Sequence, residues 1–549
     1  MTHLDSSRRT VNLPLLAAVL CLGTLPGLAA AQTPPMEMPT CNPTPFGEPL
    51  AGPMWNGWGA DSANSRFQPE SAGGMTGSDV PGLELAWALG FPEGQFVTSQ
   101  PTVVGGRIYI GTGPGGVLSL DAATGCVHWE FRAQAIVRTA VTIGRPNGPL
   151  PVRPLAFFGD LQANVYAVDA ETGRLLWSKR VDLHPQARIT AAPVLFDGLL
   201  YVPVSSLEEA AAARPSYECC TFRGKVIAYD AATGQEVWRT FIIEQEPVRT
   251  KRNSRGAQNW GPAGAAIWNA PTIDEKRGVL YIGTGDAYTS PAAPTSDSVM
   301  ALDLKTGRIA WVKQLTPNDA WIAAGCERAA NPSANCPDVV GPDFDFAQSA
   351  ILRTLPNGRS VLAIGQKSGV GWGLDPDAQG AILWQNEVGA GSVRGGMVFG
   401  SAADEQQVYM ATSDTPHGAA VAGGIAAINL ATGQRAWHIR PPALECESPQ
   451  DQRCIQGQSA AVTAIPGAVF SGATSGIMRA YSTVDGTVIW EYDTAREFTT
   501  VNGLKAKGGI IDGAGPVVVD GVLYMSSGYS VTRGGVPGNV LLAFSPKTP

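Results

Sequence analysis

Residues 226–238 read Val-Ile-Ala-Tyr-Asp-Ala-Ala-Thr-Gly-Gln-Glu-Val-Trp, and this phrase decides the fold. An apolar strand ends at Asp230, and a second short strand ends at Trp238. Between them, Thr233 and Gly234 form a tight turn in which the glycine can adopt a positive φ. The phrase therefore predicts a β-hairpin.

Variants of this hairpin recur along the whole chain. Full copies end at Trp129, Trp177, Trp238, Trp311, Trp384, Trp437 and Trp490. An eighth copy is divided between the two ends of the chain, with Leu541-Leu-Ala-Phe544 as its first strand and Leu83-Glu-Leu-Ala-Trp87 as its last. From Trp87 onward, the intervals between these tryptophans are 42, 48, 61, 73, 73, 53 and 53 residues, which suits four short strands per unit.

The repeat predicts an all-β fold, an eight-bladed β-propeller with tryptophan-docking repeats. A hairpin cannot bury both of its faces alone, whereas sheets arranged around an axis bury each face against a neighbour. Each repeated tryptophan can then fill the gap between adjacent blades. We expect residues 80–549 to form the propeller, closed by pairing the N-terminal strand with the C-terminal strands, and residues 32–79 to form an extended lead-in.

The first 31 residues have the pattern of a cleaved export signal. Arg8-Arg9 is followed by an apolar run over residues 13–28 and by three alanines before Gln32. This run is too short and too early for a lasting membrane anchor, so no membrane span is expected. The pattern predicts a periplasmic protein.

Eight cysteines remain after this signal, and an oxidising compartment favours disulfides between them. Proximity in the sequence favours bridges 326–336 and 446–454, with 219–220 as an adjacent pair and 41–126 as the remainder. Spacing alone does not fix this connectivity. No Cys-x-x-Cys-His occurs in the chain, so a covalent c-type haem is not expected.

Charge and histidine content exclude several other classes of function. The net charge is −8 with no basic stripe, which argues against nucleic acid as a partner. The five histidines have no metal-ligand spacing, so neither a zinc site nor a serine–histidine triad is expected.

The stretch Trp55-Asn-Gly-Trp-Gly-Ala-Asp-Ser-Ala-Asn-Ser-Arg-Phe67 resembles the opening of the pyrroloquinoline quinone (PQQ) dependent alcohol dehydrogenases. Together with the repeat, the resemblance covers nearly the whole chain after the signal, and it is strongest to the polyvinyl alcohol dehydrogenase branch. The matching segments are SSLEE (205–209), ECCTFRG (218–224), WGPAGAAIWNAPTID (260–274), GTGDAY (283–288), GPDFDF (341–346), QKSG (366–369) and DGAGPVVVDGVLYMSSGY (512–529).

This resemblance implies a cofactor site on the propeller. Trp268, which lies outside the repeated phrase, corresponds to the tryptophan on which the PQQ ring rests. Thr190 and Ser206 correspond to further cofactor contacts. Lys367 stands where the family places a cation that hydrogen-bonds the quinone oxygen, although many members use arginine there.

The resemblance also implies a Ca²⁺ site made of hard oxygen ligands. The segment SSLEE corresponds to the family stretch that supplies a glutamate ligand, and the alignment favours Glu209 over Glu208. Asp286 matches a position that the wider family fills with asparagine, and Asp345 completes the expected ligand set.

Asp345 also aligns with the catalytic aspartate of the family, the general base. Asp319 is a rival, because its surroundings TPNDAW resemble the approach to that aspartate. Asp343 could support the base or be a turn residue.

Two features depart from the better-known members of the family. An adjacent disulfide covers the quinone as a lid in related dehydrogenases, so the resemblance implies that Cys219–Cys220 contacts the cofactor. Here the pair follows the glutamate segment instead of preceding the first full blade motif, which leaves a structural kink or separate long-range bridges as alternatives. Phe399 stands where tryptophan is expected, which affects the shape of the substrate entrance.

Taken as a whole, the resemblance implies a periplasmic dehydrogenase that oxidises secondary alcohols, with polyvinyl alcohol as the expected substrate, to ketones. PQQ and Ca²⁺ are the expected cofactors. Because this sequence lacks the haem c domain that many relatives carry, a separate cytochrome c is the expected electron acceptor. Two alternatives stay open: a quinoprotein dehydrogenase for sugars or small primary alcohols, and a non-catalytic scaffold of outer-membrane assembly, which carries the same repeat.

Overall fold

The repeated hairpins form the outer strands of eight sheets. The computed structural model describes residues 38–42, 46–92, 96–147, 153–326, 333–445, 451–529 and 535–547, all within the unit Met38–Pro549. The predicted export signal, residues 1–31, lies outside the described residues, and so does Cys446 of the predicted 446–454 bridge.

Each sheet is an antiparallel blade of four or five strands, so the predicted eight-bladed propeller is confirmed. Blade 1 comprises Phe96–Val97, Thr102–Val104, Arg107–Gly113, Gly116–Asp121 and Val127–Arg132. Blade 2 comprises Thr142–Gly144, Leu155–Gly159, Asn164–Asp169 and Leu175–Arg180. Blade 3 comprises Ala187–Arg188, Val194–Phe196, Leu199–Ser206, Lys225–Asp230 and Glu236–Phe241. Blade 4 comprises Thr272–Asp274, Val279–Gly283, Ser298–Asp303 and Ile309–Gln314.

The second half of the ring repeats this plan. Blade 5 comprises Ile351–Thr354, Ser360–Gly365, Val370–Asp375 and Ala381–Glu387. Blade 6 comprises Ala402–Ala403, Gln407–Thr412, Gly424–Asn429 and Arg435–Ile439. Blade 7 comprises Thr463–Ile465, Ala468–Gly472, Ile477–Ser482 and Val488–Asp493. Blade 8 comprises Val517–Val519, Val522–Ser527, Val540–Pro546 and Leu83–Gly90.

The connections between these strands contain shorter elements of secondary structure. Two-stranded hairpins pair Val248–Arg252 with Gln258–Gly261, and Glu497–Phe498 with Ala506–Lys507. The α-helices are Glu70–Gly73 and Glu208–Ala211, and the 3₁₀ turns are Val80–Gly82, Pro376–Ala378, Thr415–His417 and Gln452–Cys454. Among the described residues, no helix combines the length and apolar character needed to cross a membrane.

The turn of the repeated hairpin receives the tryptophan of the preceding blade. The Asp230 carboxylate accepts a hydrogen bond from the Thr233 amide at 2.8 Å, and Gly234 has a φ of 67°. A Cβ at Gly234 would lie 2.7 Å from the Trp177 ring, so only glycine leaves room for the docked indole. Trp177 Nε1 then donates to Ala231 O at 3.0 Å. The predicted docking of the tryptophans between blades is thus a close packing contact completed by a hydrogen bond.

The ring closes in blade 8, as the divided copy of the repeat predicts. The N-terminal strand Leu83–Gly90 pairs antiparallel with Val540–Pro546, with Leu85 opposite Phe544. Because the first and last parts of the chain share one sheet, this blade leaves no open strand edge between the ends of the ring.

Residues 55–67, which carry the family resemblance, run across the inner ends of the blades. Trp55 bridges to Val103 in blade 1, and Phe67 bridges to Ala464 in blade 7. Arg66 is only 1% exposed and donates hydrogen bonds to carbonyl and side-chain oxygens of the surrounding segments. The segment therefore links several blades to one another.

Candidate active site

A cavity of about 240 Å³ lies where loops from several blades meet. Seven of the residues predicted for the site line it: Thr190, Ser206, Glu209, Trp268, Asp286, Asp345 and Lys367. These residues are up to 177 positions apart in the sequence, from 190 to 367, and the propeller brings them to one place.

Three aspartates and a lysine form the polar centre of this cavity. One carboxylate oxygen from each of Asp286, Asp343 and Asp345 lies within 4.8 Å of the others. Lys367 Nζ donates to Asp343 Oδ1 and to Asp345 Oδ2, both at 2.7 Å. The Asp286 amide donates to Asp345 Oδ1 at 2.7 Å, which fixes the second oxygen of that carboxylate. Asp343 thus belongs to the cluster rather than to a solvated turn.

Burial and mutual repulsion make these acids hard to ionise together. Burial raises the pKa of Asp286 well above its usual range, and the charges of Asp345 and Glu209 raise it further. Burial also raises the pKa of Asp343, against the attraction of Lys367. For Lys367, burial works to lower the pKa, but the carboxylates of Asp343 and Asp345 outweigh it and raise the pKa well above the usual value.

The two adjacent glutamates have different environments. Glu208 is fully buried and accepts hydrogen bonds from the Thr221 and Phe222 amides at 3.0 and 2.8 Å, and from the Tyr217 hydroxyl at 3.0 Å. Glu209 lines the cavity instead, and burial together with the charge of Asp345 raises its pKa to about 7. The geometry therefore favours Glu209 over Glu208 as the residue that can reach a ligand.

Asp319 and Asp345 likewise have different surroundings. Asp319 is fully buried, and its two oxygens accept the amide hydrogens of Asp343 at 3.1 Å and Phe344 at 2.8 Å. It does not line the cavity, whereas Asp345 does. Asp319 is therefore placed to hold the backbone on which Asp343 and Asp345 stand.

Trp268 forms the floor of the cavity and also lines a smaller one of about 30 Å³. Phe399 meets it edge-on, with ring centroids 6.1 Å apart, and Lys367 Nζ lies 5.3 Å from its ring centroid. The Thr190 hydroxyl at the cavity wall is buried and has no hydrogen-bond partner among the described residues. A flat aromatic floor with a free donor beside it suits a planar, polar group.

Two arginines that the sequence reasoning missed also line this cavity. Arg138 lies over the ring of Phe399 at 5.5 Å, and Arg394 is exposed at the rim. Among the described residues, neither has an acidic partner in an ion pair. In the sequence, Arg138 is noticeable as a lone cation in the largely apolar stretch Ala135-Ile-Val-Arg-Thr-Ala140. Nothing in that stretch predicts that Arg138 lies near Asp345 in the fold.

Three of the predicted disulfides are confirmed. They join Cys41 to Cys126, Cys219 to Cys220 and Cys326 to Cys336. The adjacent pair does not line the cavity that contains the acids. Cys219 instead lines a neighbouring cavity of about 380 Å³. In this structure the pair therefore contributes to the wall of that neighbouring cavity through Cys219 and not to the lining of the cavity that contains the acids.

The donors present fit the two groups that the resemblance implies. Asp286 Oδ2 is buried with no hydrogen-bond partner among the described residues, and such an oxygen requires a cation or a proton. The set of carboxylate oxygens around it is the kind that a hard cation such as Ca²⁺ binds. Trp268, Thr190 and Arg138 offer a flat surface and donors to a planar ring that carries carboxylates.

Comparison with known proteins identifies the fold and the family of this chain. The family model described as glucose/ethanol/alcohol dehydrogenase, beta-propeller domain, matches residues 55–323. A second model, described as outer membrane protein assembly factor BamB, matches residues 221–443 and 349–540, in keeping with a repeat that both kinds of propeller share. In solved structures, the quinohemoprotein alcohol dehydrogenase from Comamonas testosteroni matches with a TM-score of 0.65 at 19% identity, over 90% of this chain and 81% of that one.

Two curated relatives have a higher sequence identity to the chain than this solved structure has. The chain is 41% identical to a polyvinylalcohol dehydrogenase from Pseudomonas sp. over 93% of its length and 80% of that protein. It is 40% identical to a polyvinylalcohol dehydrogenase from Sphingopyxis sp. (strain 113P3) over 93% of its length and 79% of that protein. This identity to enzymes sets aside the non-catalytic scaffold alternative. The chain belongs to the PQQ-dependent quinoprotein alcohol dehydrogenases, in the group of the polyvinyl alcohol dehydrogenases.

Proposed function

We propose that this enzyme oxidises secondary alcohols, polyvinyl alcohol in particular, to ketones, with PQQ and Ca²⁺ as cofactors. The observation that carries the proposal is the contact of Asp345 with Lys367 and with the Asp286 amide, beside the flat floor of Trp268. The choice of polyvinyl alcohol as substrate is supported by two relatives, both polyvinyl alcohol dehydrogenases, that match over 93% of the chain.

Several residues are suited to holding the quinone. Trp268 offers its ring face as the floor, while Arg138 and the unpartnered Thr190 hydroxyl offer donors for carboxylates. Lys367 presents a fixed positive charge 5.3 Å from the centre of the Trp268 ring. PQQ, when bound, supplies an o-quinone that accepts hydride from the carbinol carbon.

The acids suit a bound divalent cation. Glu209, Asp286 and Asp345 would hold Ca²⁺, and Asp286 Oδ2 would gain the partner that it lacks. The ion would supply Lewis acid chemistry at the site. It would also counter the effects of burial and of the neighbouring carboxylate charges, which together raise the pKa of Asp286 and of Glu209.

Asp345 would act as the general base. Its carboxylate lines the cavity and is oriented on one oxygen by Lys367 and on the other by the Asp286 amide. Each carboxylate oxygen has a second lone pair, so one remains for the proton of the substrate hydroxyl. Lys367, which contacts the same carboxylate, would stabilise negative charge that develops beside it.

Electrons would then pass to a separate cytochrome c in the periplasm. Three disulfides support an oxidising compartment. Arg138 and Phe399 lie in contact with each other at the cavity beside Trp268. The alcohol that would fit there is inferred from the relatives.

Dye reduction by the purified protein tests the proposal. We expect turnover of polyvinyl alcohol and 2-propanol only when PQQ and Ca²⁺ are both supplied, with loss after treatment with EDTA and recovery on adding Ca²⁺ back. Ethanol and glucose are the comparison substrates, because faster turnover of either would favour the alternative of a sugar or primary alcohol dehydrogenase. Equal turnover with NAD and no quinone would overturn the assignment of the cofactor.

A further inference from the structure

A second cavity, of about 380 Å³, lies beside the acid cluster, and we propose that it binds the neutral, hydroxyl-bearing chain of a polymeric substrate next to the reacting unit. We name it the hairpin cavity, because the inserted hairpin Val248–Arg252 and Gln258–Gly261 forms one wall and residues 335–338 form another. The inference rests on the proposed function and adds a binding subsite for the polymer to it.

The lining of the hairpin cavity combines flat apolar surfaces with uncharged hydrogen-bonding groups. The apolar surfaces belong to Trp260, Pro262, Pro291 and Pro337. The uncharged polar side chains are Gln245, Thr250, Asn259, Tyr288, Thr289, Ser290 and Asn335. The charged side chains in this lining, Lys251 and Asp338, form an ion pair with each other. Such a surface suits a ligand that carries methylene groups and neutral hydroxyls, and it offers no unpaired charge to an ionic one.

Two buried polar atoms of the lining have no partner among the described residues. They are the Oδ1 atom of Asn259, a residue that is 8% exposed, and the hydroxyl of Tyr288, which is 1% exposed. Leaving such atoms unpaired costs about 1–3 kcal/mol each. Alcohol hydroxyls can both donate and accept, so one class of ligand can satisfy an amide oxygen and a phenol.

Tyr288 and the adjacent disulfide separate the hairpin cavity from the acid cluster. Tyr288 follows Asp286 by two residues and lines the hairpin cavity. The Trp260 amide donates to Cys219 O at 2.6 Å, so the hairpin is anchored directly on the disulfide. A polymer with one hydroxyl at Asp345 would bring neighbouring units to this cavity if its chain extends past Tyr288, a length that 2-propanol does not have.

The walls are fixed before any ligand binds. Asn253 Nδ2 donates to Asn335 Oδ1 at 2.7 Å, and Asn335 Nδ2 donates to Tyr217 O at 3.0 Å. The Cys326–Cys336 bridge constrains the same loop. A preformed cavity loses little conformational freedom on binding, which favours affinity.

The test compares polymer and monomer on the enzyme loaded with PQQ and Ca²⁺. Trp260→Ala and Asn259→Leu are each expected to raise KM for polyvinyl alcohol about fivefold or more, since a lost contact of about 1 kcal/mol has that effect. For 2-propanol, which is too small to span both cavities, kcat and KM are expected to stay within about twofold of the wild type. Val248→Ala, on the same hairpin but 55% exposed and outside the lining, is the matched control.

Direct binding keeps this test separate from the test of the proposed function. Equilibrium dialysis with short polyvinyl alcohol oligomers should show weaker retention by Trp260→Ala and Asn259→Leu than by the wild type and Val248→Ala, whether or not turnover occurs. Unchanged retention and an unchanged polymer KM in both variants would overturn the inference, as would an equal rise in KM for 2-propanol. Failure of wild-type turnover with retained binding would overturn the proposed function alone. Thermal unfolding of each variant verifies that the fold is intact.

Discussion

The hairpins of the ring and the loops of the site use the same kinds of residues in opposite ways. In the ring, Asp230 accepts from Thr233 within its own turn, and Trp177 donates to the next blade. In the site, Asp286 Oδ2 and the Thr190 hydroxyl are buried without a partner among the described residues. The hairpin residues are thus satisfied within the ring, whereas these two atoms of the site retain bonding capacity that a cofactor or substrate can use.

Removal of a tryptophan that packs between two blades should have the largest effect on stability. Trp384 is 6% exposed and donates to Leu430 O at 2.8 Å. Trp384→Ala should lower the free energy of unfolding by about 3–5 kcal/mol, because it leaves a cavity between two blades. Urea denaturation followed by fluorescence measures this loss.

Trp268→Ala is the matched variant in the site, because Trp268 lines two cavities and its removal creates less new empty volume than removal of a fully packed tryptophan. It should weaken retention of PQQ while costing much less stability than Trp384→Ala. Equal destabilisation by the two variants would contradict the division between ring and site.

Asp345→Asn should leave the ring intact and remove the proposed base. The amide keeps the shape of the side chain but cannot accept the proton, so kcat should fall about 10²-fold or more. PQQ binding, followed by absorbance of the cofactor, should persist. If Asp319→Asn abolishes turnover while Asp345→Asn does not, the base has to be reassigned to Asp319.

Asp319 is expected to contribute to stability and positioning. Asp319→Ala leaves the amides of Asp343 and Phe344 without acceptors, which should cost about 1–3 kcal/mol of unfolding free energy. Asp319→Asn retains one acceptor oxygen and should cost less. Denaturation of both variants, compared with cofactor retention, distinguishes this role from that of a base, which would lower kcat without affecting stability.

A further expected effect is a dependence of stability on pH in the protein depleted of metal. Burial and Asp345 raise the pKa of Glu209 from 4.5 to about 7, so the folded state holds this proton to higher pH than the unfolded state does. Glu209 therefore favours folding below pH 4.5, and the benefit is lost as the pH rises towards 7. In thermal melts across this range, Tm should fall less with rising pH for Glu209→Gln than for the wild type. Identical profiles would contradict the raised pKa.

The sequence by itself determined the ring. The hairpin signal is local, since Asp230, Thr233, Gly234 and Trp238 lie within nine positions and their bonds depend on that spacing. Closure of blade 8 followed from the divided copy, because Leu83–Gly90 and Val540–Pro546 each supply part of one repeat. Trp268, Asp345 and Lys367 could be proposed for one site only because their segments resemble those of a known family.

The tertiary structure alone decided which way individual side chains face. Glu208 and Glu209 are neighbours in one short helix, and only packing against residues 221–222 buries the first and leaves the second at the cavity. Arg138 and the hairpin cavity were likewise hidden, because their neighbours come from loops far away in the chain. Such contacts have no period in the sequence: they arise where loops of different blades converge, and that convergence exists only once the ring has closed.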